Sequence, residues 1–190
     1  MKVNDLISWP LGALAFQASG RTASSYPLEI GLCTWHAPDA PLRRWSTLVS
    51  PADGWREHGE WDVNAEALHG LHPADLEVGL GPAEAARLLH AYASSVEILW
   101  CDDGAWAVHW LRVLARASRA RPAFTMGHVG ILAAGWPGEA AGRMRTFRDA
   151  HAPAHRAGPD AERLVRALAA GAAVAVPGVV DLLDGEGRHG

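Results

Sequence analysis

The segment ALAFQASGRTASSYPLEIGL, residues 13–32, has the pattern of a strand, a turn and a second strand. Two apolar runs flank the polar, glycine-containing connection ASGRTASS, and they predict strands over 12–18 and 27–36. A third run predicts a strand over 44–49, after the connection HAPDAPLR. Because strands joined by short connections usually pair with their neighbours, the three are predicted to form an antiparallel meander.

Helical and extended patterns alternate after the meander. Helices are predicted in NAEALHGL and PAEAARLLHAYAS, from about Gly104 to Ser118, and in AGPDAERLVRALAAG, and further strands in VEILWCDD and PAFTM. This order predicts crossover connections, which add parallel strands to the meander. The sequence therefore predicts an α/β domain with a mixed five-stranded sheet, antiparallel in its first three strands and flanked by helices.

Length and charge limit the remaining possibilities. A chain of 190 residues can bury one substantial core, so a single domain over 1–172 is predicted, followed by a poorly ordered C-terminal tail over 173–190. The formal net charge of −4 provides no overall basic field, so any binding of nucleic acid must be local.

The cysteines and the N-terminal residues indicate an intracellular protein. Cys33 and Cys101 match no metal-ligand spacing and no disulfide framework. Asp5, Pro10 and Gly12 interrupt the N-terminal apolar stretch, which therefore makes neither a signal-peptide core nor a membrane span. We expect a cytoplasmic protein with no membrane association.

Four fragments together resemble one enzyme family. They are ASG followed by SYPLEIG, then WDVNAEALHGL, AWAVHWL and HRAGPDAERL, in that order between about residues 12 and 170. In this arrangement the chain resembles the DnaQ-like (DEDDh) 3′-5′ exonucleases. The resemblance implies a ribonuclease H-like fold. It also implies descent from enzymes that remove nucleotides from the 3′ ends of DNA or RNA.

The family's chemistry depends on converging negative charge. Active members hold two Mg²⁺ or Mn²⁺ ions about 4 Å apart, which clamp the attacking water and the leaving oxygen of a phosphodiester. The ligands are an Asp-x-Glu pair on the first strand, an Asp on the middle helix and an Asp on the late helix. A histidine five residues before the last Asp acts as the general base.

The resemblance places these positions on residues that mostly cannot bind metal. The three earlier carboxylate positions fall on Ala15, Gln17 and Ala107, the histidine on His155 and the last carboxylate on Asp160. Alanine offers no ligand, and glutamine offers only a neutral carbonyl oxygen. His155 and Asp160 are therefore candidate remnants of a catalytic site, Asp160 is at best a weak metal ligand, and no metal cofactor is expected.

Other polar residues near these positions have structural as well as functional interpretations. The resemblance implies that Ser19, Gly20 and His69 lie beside the terminal nucleotide of a substrate, although the sequence around His69 also suits a turn before a helix. His155 and Asp160 equally suit a loop-to-helix junction. Asp102 and Asp103 are interpreted as exposed acids that cap the following helix rather than as replacement ligands.

Two interpretations of the three substitutions remain open. In the first, the chain is an inactive exonuclease-like protein that binds single-stranded nucleic acid, its 3′ ends, or a protein partner. In the second, it is a genuine Mg²⁺-dependent 3′-5′ exonuclease disabled by engineered changes at positions 15, 17 and 107. The tryptophans in predicted loops are further candidates for base stacking or partner binding: Trp9, Trp55, Trp61 and Trp136.

Overall fold

The computed structural model describes residues 6–183, which form one mixed sheet with helices on both faces. The strands are β1 (Leu11–Ala18), β2 (Pro27–Trp35), β3 (Leu42–Leu48), β4 (Ile98–Cys101), β5 (Thr125–His128) and β6 (Val179–Asp181). The helices are α1 (Asp53–His58), α2 (Val63–His69), a 3-10 helix (Pro73–Val78), α3 (Pro82–Ala93), α4 (Gly104–Ser118), α5 (Val129–Ala134), α6 (Gly138–Ala150) and α7 (Ala157–Gly171). No helix among these residues has both the length and the apolar character that crossing a bilayer requires.

The sheet confirms the predicted topology and corrects the strand count. Its order is β5-β4-β1-β2-β3-β6, with an antiparallel β1-β2-β3 meander and with β4 and β5 added in parallel, as predicted. The described residues contain six strands rather than five, because β6 pairs in parallel with β3.

Strand β6 falls in the segment that the sequence assigned to a poorly ordered tail, and for Val179–Asp181 that prediction is wrong. An ion pair between Arg44 and Asp181, 2.6 Å long, fixes the strand at the sheet edge. Three residues are too few to show an alternating pattern, so only this long-range contact reveals the strand. The domain boundary at 172 stays a prediction, and residues 184–190 lie outside the described part.

Alternate residues of β1 face different helical layers. Leu14 and Phe16 pack in the core cluster beneath α3 and α4, whereas Ala13 and Ala15 pack towards α7. Gln17 follows Ala15 by two residues and therefore also faces α7. This alternation directs Ala15 and Gln17 towards the helix that carries Asp160.

A glycine and a buried carboxylate hold the start of α7 against β2. A Cβ atom added to Gly31 would lie 2.0 Å from the carbonyl carbon and oxygen of Ala157, so only glycine permits this approach. The side chain of Glu29 is 4% exposed and accepts hydrogen bonds from the Arg156 guanidinium (2.9 and 3.0 Å) and the Ala157 amide (2.8 Å). These contacts set the position of Asp160 in the first turn of α7.

Candidate functional site

A cleft of about 600 Å³ opens at the carboxyl ends of the parallel strands β1 and β4. Its walls come from β1, α2, α4, α7 and the loop before α7. All five positions that the resemblance aligned with the exonuclease site line it: Ala15, Gln17, Ala107, His155 and Asp160. The structure therefore brings together residues that are spread over more than a hundred positions of the sequence.

A hydrogen bond joins two of the side chains that line the cleft. Gln17 Nε2 donates to Asp160 Oδ2 at 3.1 Å, and the Ala154 amide donates to Asp160 Oδ1 at 2.8 Å. Both carboxyl oxygens of Asp160 thus have protein donors. Burial raises the pKa of Asp160 above its ordinary value, and the hydrogen bond from Ala154 opposes this shift.

The donor set of the cleft does not fit a pair of divalent cations. Ala15 and Ala107 present methyl groups, and the Gln17 amide is turned so that its NH₂ group faces Asp160. Hard cations such as Mg²⁺ take oxygen ligands that include carboxylates, and a pair of such ions needs several carboxylates between them. Within residues 6–183, no group of three or more His, Cys, Asp or Glu side chains is placed to hold a metal ion.

Two further carboxylates line the cleft, but arginines neutralise both. Asp102 accepts hydrogen bonds from Arg148 at 2.5 and 2.6 Å and lies 3.8 Å from Arg163. Asp103 pairs with Arg21 at 2.6 Å. Asp103 is the N-cap residue of α4, yet its side chain makes no capping hydrogen bond, so the predicted capping role is wrong for this residue.

His155 stands at the entrance of α7 with an unusual backbone conformation. Its φ angle is 54°, in the left-handed region that few residues other than glycine occupy. The side chain lines the cleft on the same side as Asp160. This placement suits the predicted remnant of a catalytic histidine and also suits a residue that simply turns the chain into the helix.

The three predicted substrate-binding residues have different positions. Gly20 lines the cleft, and His69 lines it as a buried side chain whose Nδ1 accepts the Leu71 amide at 3.0 Å. Burial lowers the pKa of His69, so its ring is neutral at pH 7. Ser19 is buried outside the lining, where its hydroxyl accepts the Tyr26 amide at 3.1 Å. The substrate contacts themselves stay predictions.

Sequence reasoning missed two basic residues of the cleft. Arg21 lies in the β1–β2 connection, and Arg163 lies on α7 three residues after Asp160. Residues three positions apart share a helix face, so the position of Arg163 was available from the helical spacing alone. The position of Arg21 depends on its pairing with Asp103, which is 82 residues away and gives no local signal.

Comparison with solved structures supports the fold. E. coli exonuclease I, in its zinc-bound complex with single-stranded DNA, superimposes with a TM-score of 0.64 at 13% identity over 86% of this chain and 40% of its own. The chain has the exonuclease fold. Exonuclease I from Methylocaldum szegediense is also similar, with a TM-score of 0.62 at 16% identity over 85% of this chain and 40% of its own. A full-length 3′-exonuclease has a TM-score of 0.62 at 10% identity over 84% of this chain and 60% of its own.

The likeness extends to the fold alone. The chain spans less than two thirds of each of these proteins, from 40% to 60% of their length. No protein-family model and no curated protein sequence matches it. The function must therefore be argued from the cleft itself.

Asp160→Asn is expected to stabilise the protein near neutral pH. Because the pKa of Asp160 is raised in the folded state, stability is lost as the pH rises from the ordinary value of 3.8 through the folded value. Asparagine removes this loss: its Oδ1 can still accept the Ala154 amide, and its NH₂ group can donate to Gln17 once that amide turns to present Oε1. We expect a gain of at most about 1 kcal/mol in the free energy of unfolding at pH 7, because Asp160 is only half-buried and solvent screens its charge.

Urea denaturation at several pH values measures this effect. The difference between Asp160→Asn and the wild type should shrink as the pH approaches 3.8, where the wild-type carboxyl also becomes neutral. Asp39→Asn, a change at an exposed loop acid, should leave the unfolding free energy within about 0.5 kcal/mol at every pH. A lower stability of Asp160→Asn at pH 7 would contradict the assignment of Asp160 as a destabilising buried charge.

Proposed function

We propose that this protein binds the 3′ end of single-stranded nucleic acid in the cleft and does not hydrolyse it. The observation that carries the proposal is the Gln17–Asp160 hydrogen bond at 3.1 Å, which leaves the aligned positions with a neutral amide and one carboxylate. Two-metal cleavage needs cations on both sides of the reacting phosphate. A single available carboxylate does not supply that charge.

The shape of the cleft favours a nucleotide as its occupant. Its volume of about 600 Å³ lies within the range of roughly 300–1,000 Å³ that small-molecule sites occupy. Leu68 is exposed and offers apolar surface for a base, and the buried side chains of Leu14, Phe16, Trp110 and Leu164 make the wall behind it apolar. Similar structures include E. coli exonuclease I in complex with single-stranded oligonucleotides, which supports the same class of ligand here.

The charge of the cleft is also compatible with phosphate. Asp102 and Asp103 are paired with arginines, which leaves Asp160 as the one lining carboxylate without an arginine partner among residues 6–183. Arg21, Arg148 and Arg163 together offset the charge of the three lining carboxylates, so the cleft carries little net negative charge. Replacing three carboxylates by neutral side chains removes repulsion that only metal ions would otherwise offset. A phosphate can therefore approach the cleft without a bound metal.

Leu68→Glu tests whether binding occurs in this cleft. Leu68 is 63% exposed and lines the cleft, so a glutamate there keeps the fold and repels phosphate. We expect affinity for a fluorescent single-stranded oligonucleotide, measured by anisotropy at low salt, to fall by about tenfold. Val78→Glu is the matched control, because Val78 is 86% exposed and lies outside the cleft lining.

Two outcomes would overturn this function. Equal losses in Leu68→Glu and Val78→Glu would place binding elsewhere on the surface. No anisotropy change with the wild-type protein, in the presence or absence of Mg²⁺, would exclude nucleic acid and leave a protein partner as the remaining class. A circular single strand serves as the test for end recognition, since it should compete more weakly than a linear strand with a free 3′ hydroxyl.

A further inference from the structure

A second pocket, here called the tryptophan pocket, opens at the amino ends of β1 and β4. It has a volume of about 380 Å³, and the side chains of Trp9, Trp100 and Trp136 form its walls together with aliphatic residues. None of its lining residues lines the cleft at the carboxyl ends of the same strands. The pocket is therefore a separate feature from the site of the proposed function.

Close contacts with glycines and with a buried ring hold the three indoles in place. A Cβ atom added to Gly127 would lie 2.5 Å from the ring of Trp100, and one added to Gly171 would lie 2.2 Å from the ring of Trp136. Trp9 packs edge to face on buried Trp35, with ring centroids 4.5 Å apart. Because the rings are already fixed, binding of a ligand would cost little side-chain conformational entropy.

The pocket has a negative electrostatic character. Glu97 is the one charged residue among its described lining residues, and its side chain lies at the exposed rim. The faces of the indole rings carry the negative end of the aromatic quadrupole and attract cations. An anion would meet repulsion from both sources, and a neutral apolar ligand would make no use of the carboxylate.

The walls also select among cations. A primary ammonium is strongly hydrated and would lose that water on entering an apolar pocket. A quaternary ammonium carries its charge on a shell of methyl groups, so it satisfies the apolar walls, the ring faces and the carboxylate together. The volume of about 380 Å³ lies at the small end of the range for ligand pockets, roughly 300–1,000 Å³.

From these observations we infer that the tryptophan pocket binds a small organic cation with a trimethylammonium group. The cation sits between the rings of Trp9, Trp100 and Trp136, with Glu97 at the rim. The inference stands on side chains that the exonuclease-like cleft does not use. It holds whether or not the cleft binds nucleic acid.

Choline chloride and its uncharged carbon analogue, 3,3-dimethyl-1-butanol, test this inference with the full-length protein. The two probes share their shape, and only choline carries the charge. We expect choline to bind saturably, with an upfield shift of its N-methyl proton resonance caused by the indole ring currents. The carbon analogue should bind at least about tenfold more weakly.

Variants of the pocket separate the aromatic and the acidic contributions. Trp136→Leu keeps an apolar wall without the aromatic face, and Glu97→Gln removes the charge at an exposed position, where folding is unaffected. Each should weaken choline binding by about fivefold to tenfold. The controls are Trp55→Leu and Glu77→Gln, changes outside the pocket that should leave the affinity unchanged.

Three results would overturn the inference. They are the absence of saturable choline binding to the wild type, binding of the carbon analogue within about twofold of choline, and equal effects of the pocket variants and their controls. Oligonucleotide binding, measured in parallel on Glu97→Gln and Glu77→Gln, should be unchanged, because neither residue lines the cleft. If the tryptophan pocket does not bind choline, the proposed function of the cleft is unaffected. If the cleft does not bind nucleic acid, the inference about the tryptophan pocket is likewise unaffected.

Discussion

The triple variant Ala15→Asp, Gln17→Glu and Ala107→Asp is expected to show Mg²⁺-dependent 3′-5′ exonuclease activity far above that of the unaltered chain. All three positions line the cleft that also contains His155 and Asp160. The variant would supply four converging carboxylates, the charge that two hard cations need. Because metal-ion catalysis stabilises several units of developing charge, we expect at least about a thousandfold increase over the wild type.

The assay follows shortening of a 5′-labelled single strand, with DNA and RNA in separate reactions and with Mg²⁺ or Mn²⁺. Adding Asp160→Asn to the triple variant removes the fourth carboxylate and provides the control, which should return the rate to background. Wild-type protein that trims 3′ ends and loses this activity on Asp160→Asn would refute the proposed lack of catalysis. A triple variant that binds metal by calorimetry but does not cut would show that the cleft has lost more than its ligands.

The same variant should be less stable without metal. Each close pair of carboxylates costs on the order of 4 kcal/mol at an effective dielectric constant near 20, before screening and protonation reduce it. The wild type avoids this repulsion through the Gln17–Asp160 hydrogen bond and the alanine methyl groups. Neutral side chains at positions 15, 17 and 107 therefore favour the stability of the metal-free protein over affinity for metal ions.

The fold was largely predictable because its main elements carry strong local signals. The observed bounds of α4 and α7 match the predicted ones, since each helix has a continuous apolar stripe and a clear start. Helix α6 lacked such a stripe: among its thirteen residues only Ala140 and Met144 are buried. Its position depends on Arg143, which donates to the carbonyls of Ala170 and Gly171 at the end of α7.

The site was predictable in its positions and not in its interactions. The five positions followed from the family resemblance, and the structure brings all of them to one cleft. The hydrogen bond from Gln17 to Asp160 joins residues 143 positions apart, and the pairing of Asp102 with Arg148 joins residues 46 apart. Such partners are set by tertiary packing, so the sequence suggested exposed acids where the structure has neutralised ones.

Gly31→Ala is expected to destabilise the protein by about 3 kcal/mol or more, the upper range for inserting a methyl group into a packed interior. The new Cβ would lie 2.0 Å from the carbonyl of Ala157 and 2.3 Å from the amide nitrogen of Gly158. These are backbone atoms of α7 and cannot rotate away. The helix would have to move off β2, which breaks the hydrogen bond between Glu29 and the Ala157 amide.

Gly142→Ala is the matched control, because it makes the same chemical change in α6 where no atom lies within 4 Å of the added Cβ. It should raise the free energy of unfolding by about 0.5–1 kcal/mol, the usual gain from replacing a helical glycine. Urea denaturation measures the free energy of unfolding of both variants. Because both replace glycine with alanine, the effect of that change on the unfolded chain drops out when the two values are compared. Similar stabilities for the two variants would mean that α7 is not held against β2 at Gly31.

The start of α7 carries Asp160, so the contact at Gly31 also positions the Gln17–Asp160 pair. A folded Gly31→Ala protein should accordingly bind oligonucleotide more weakly than Gly142→Ala.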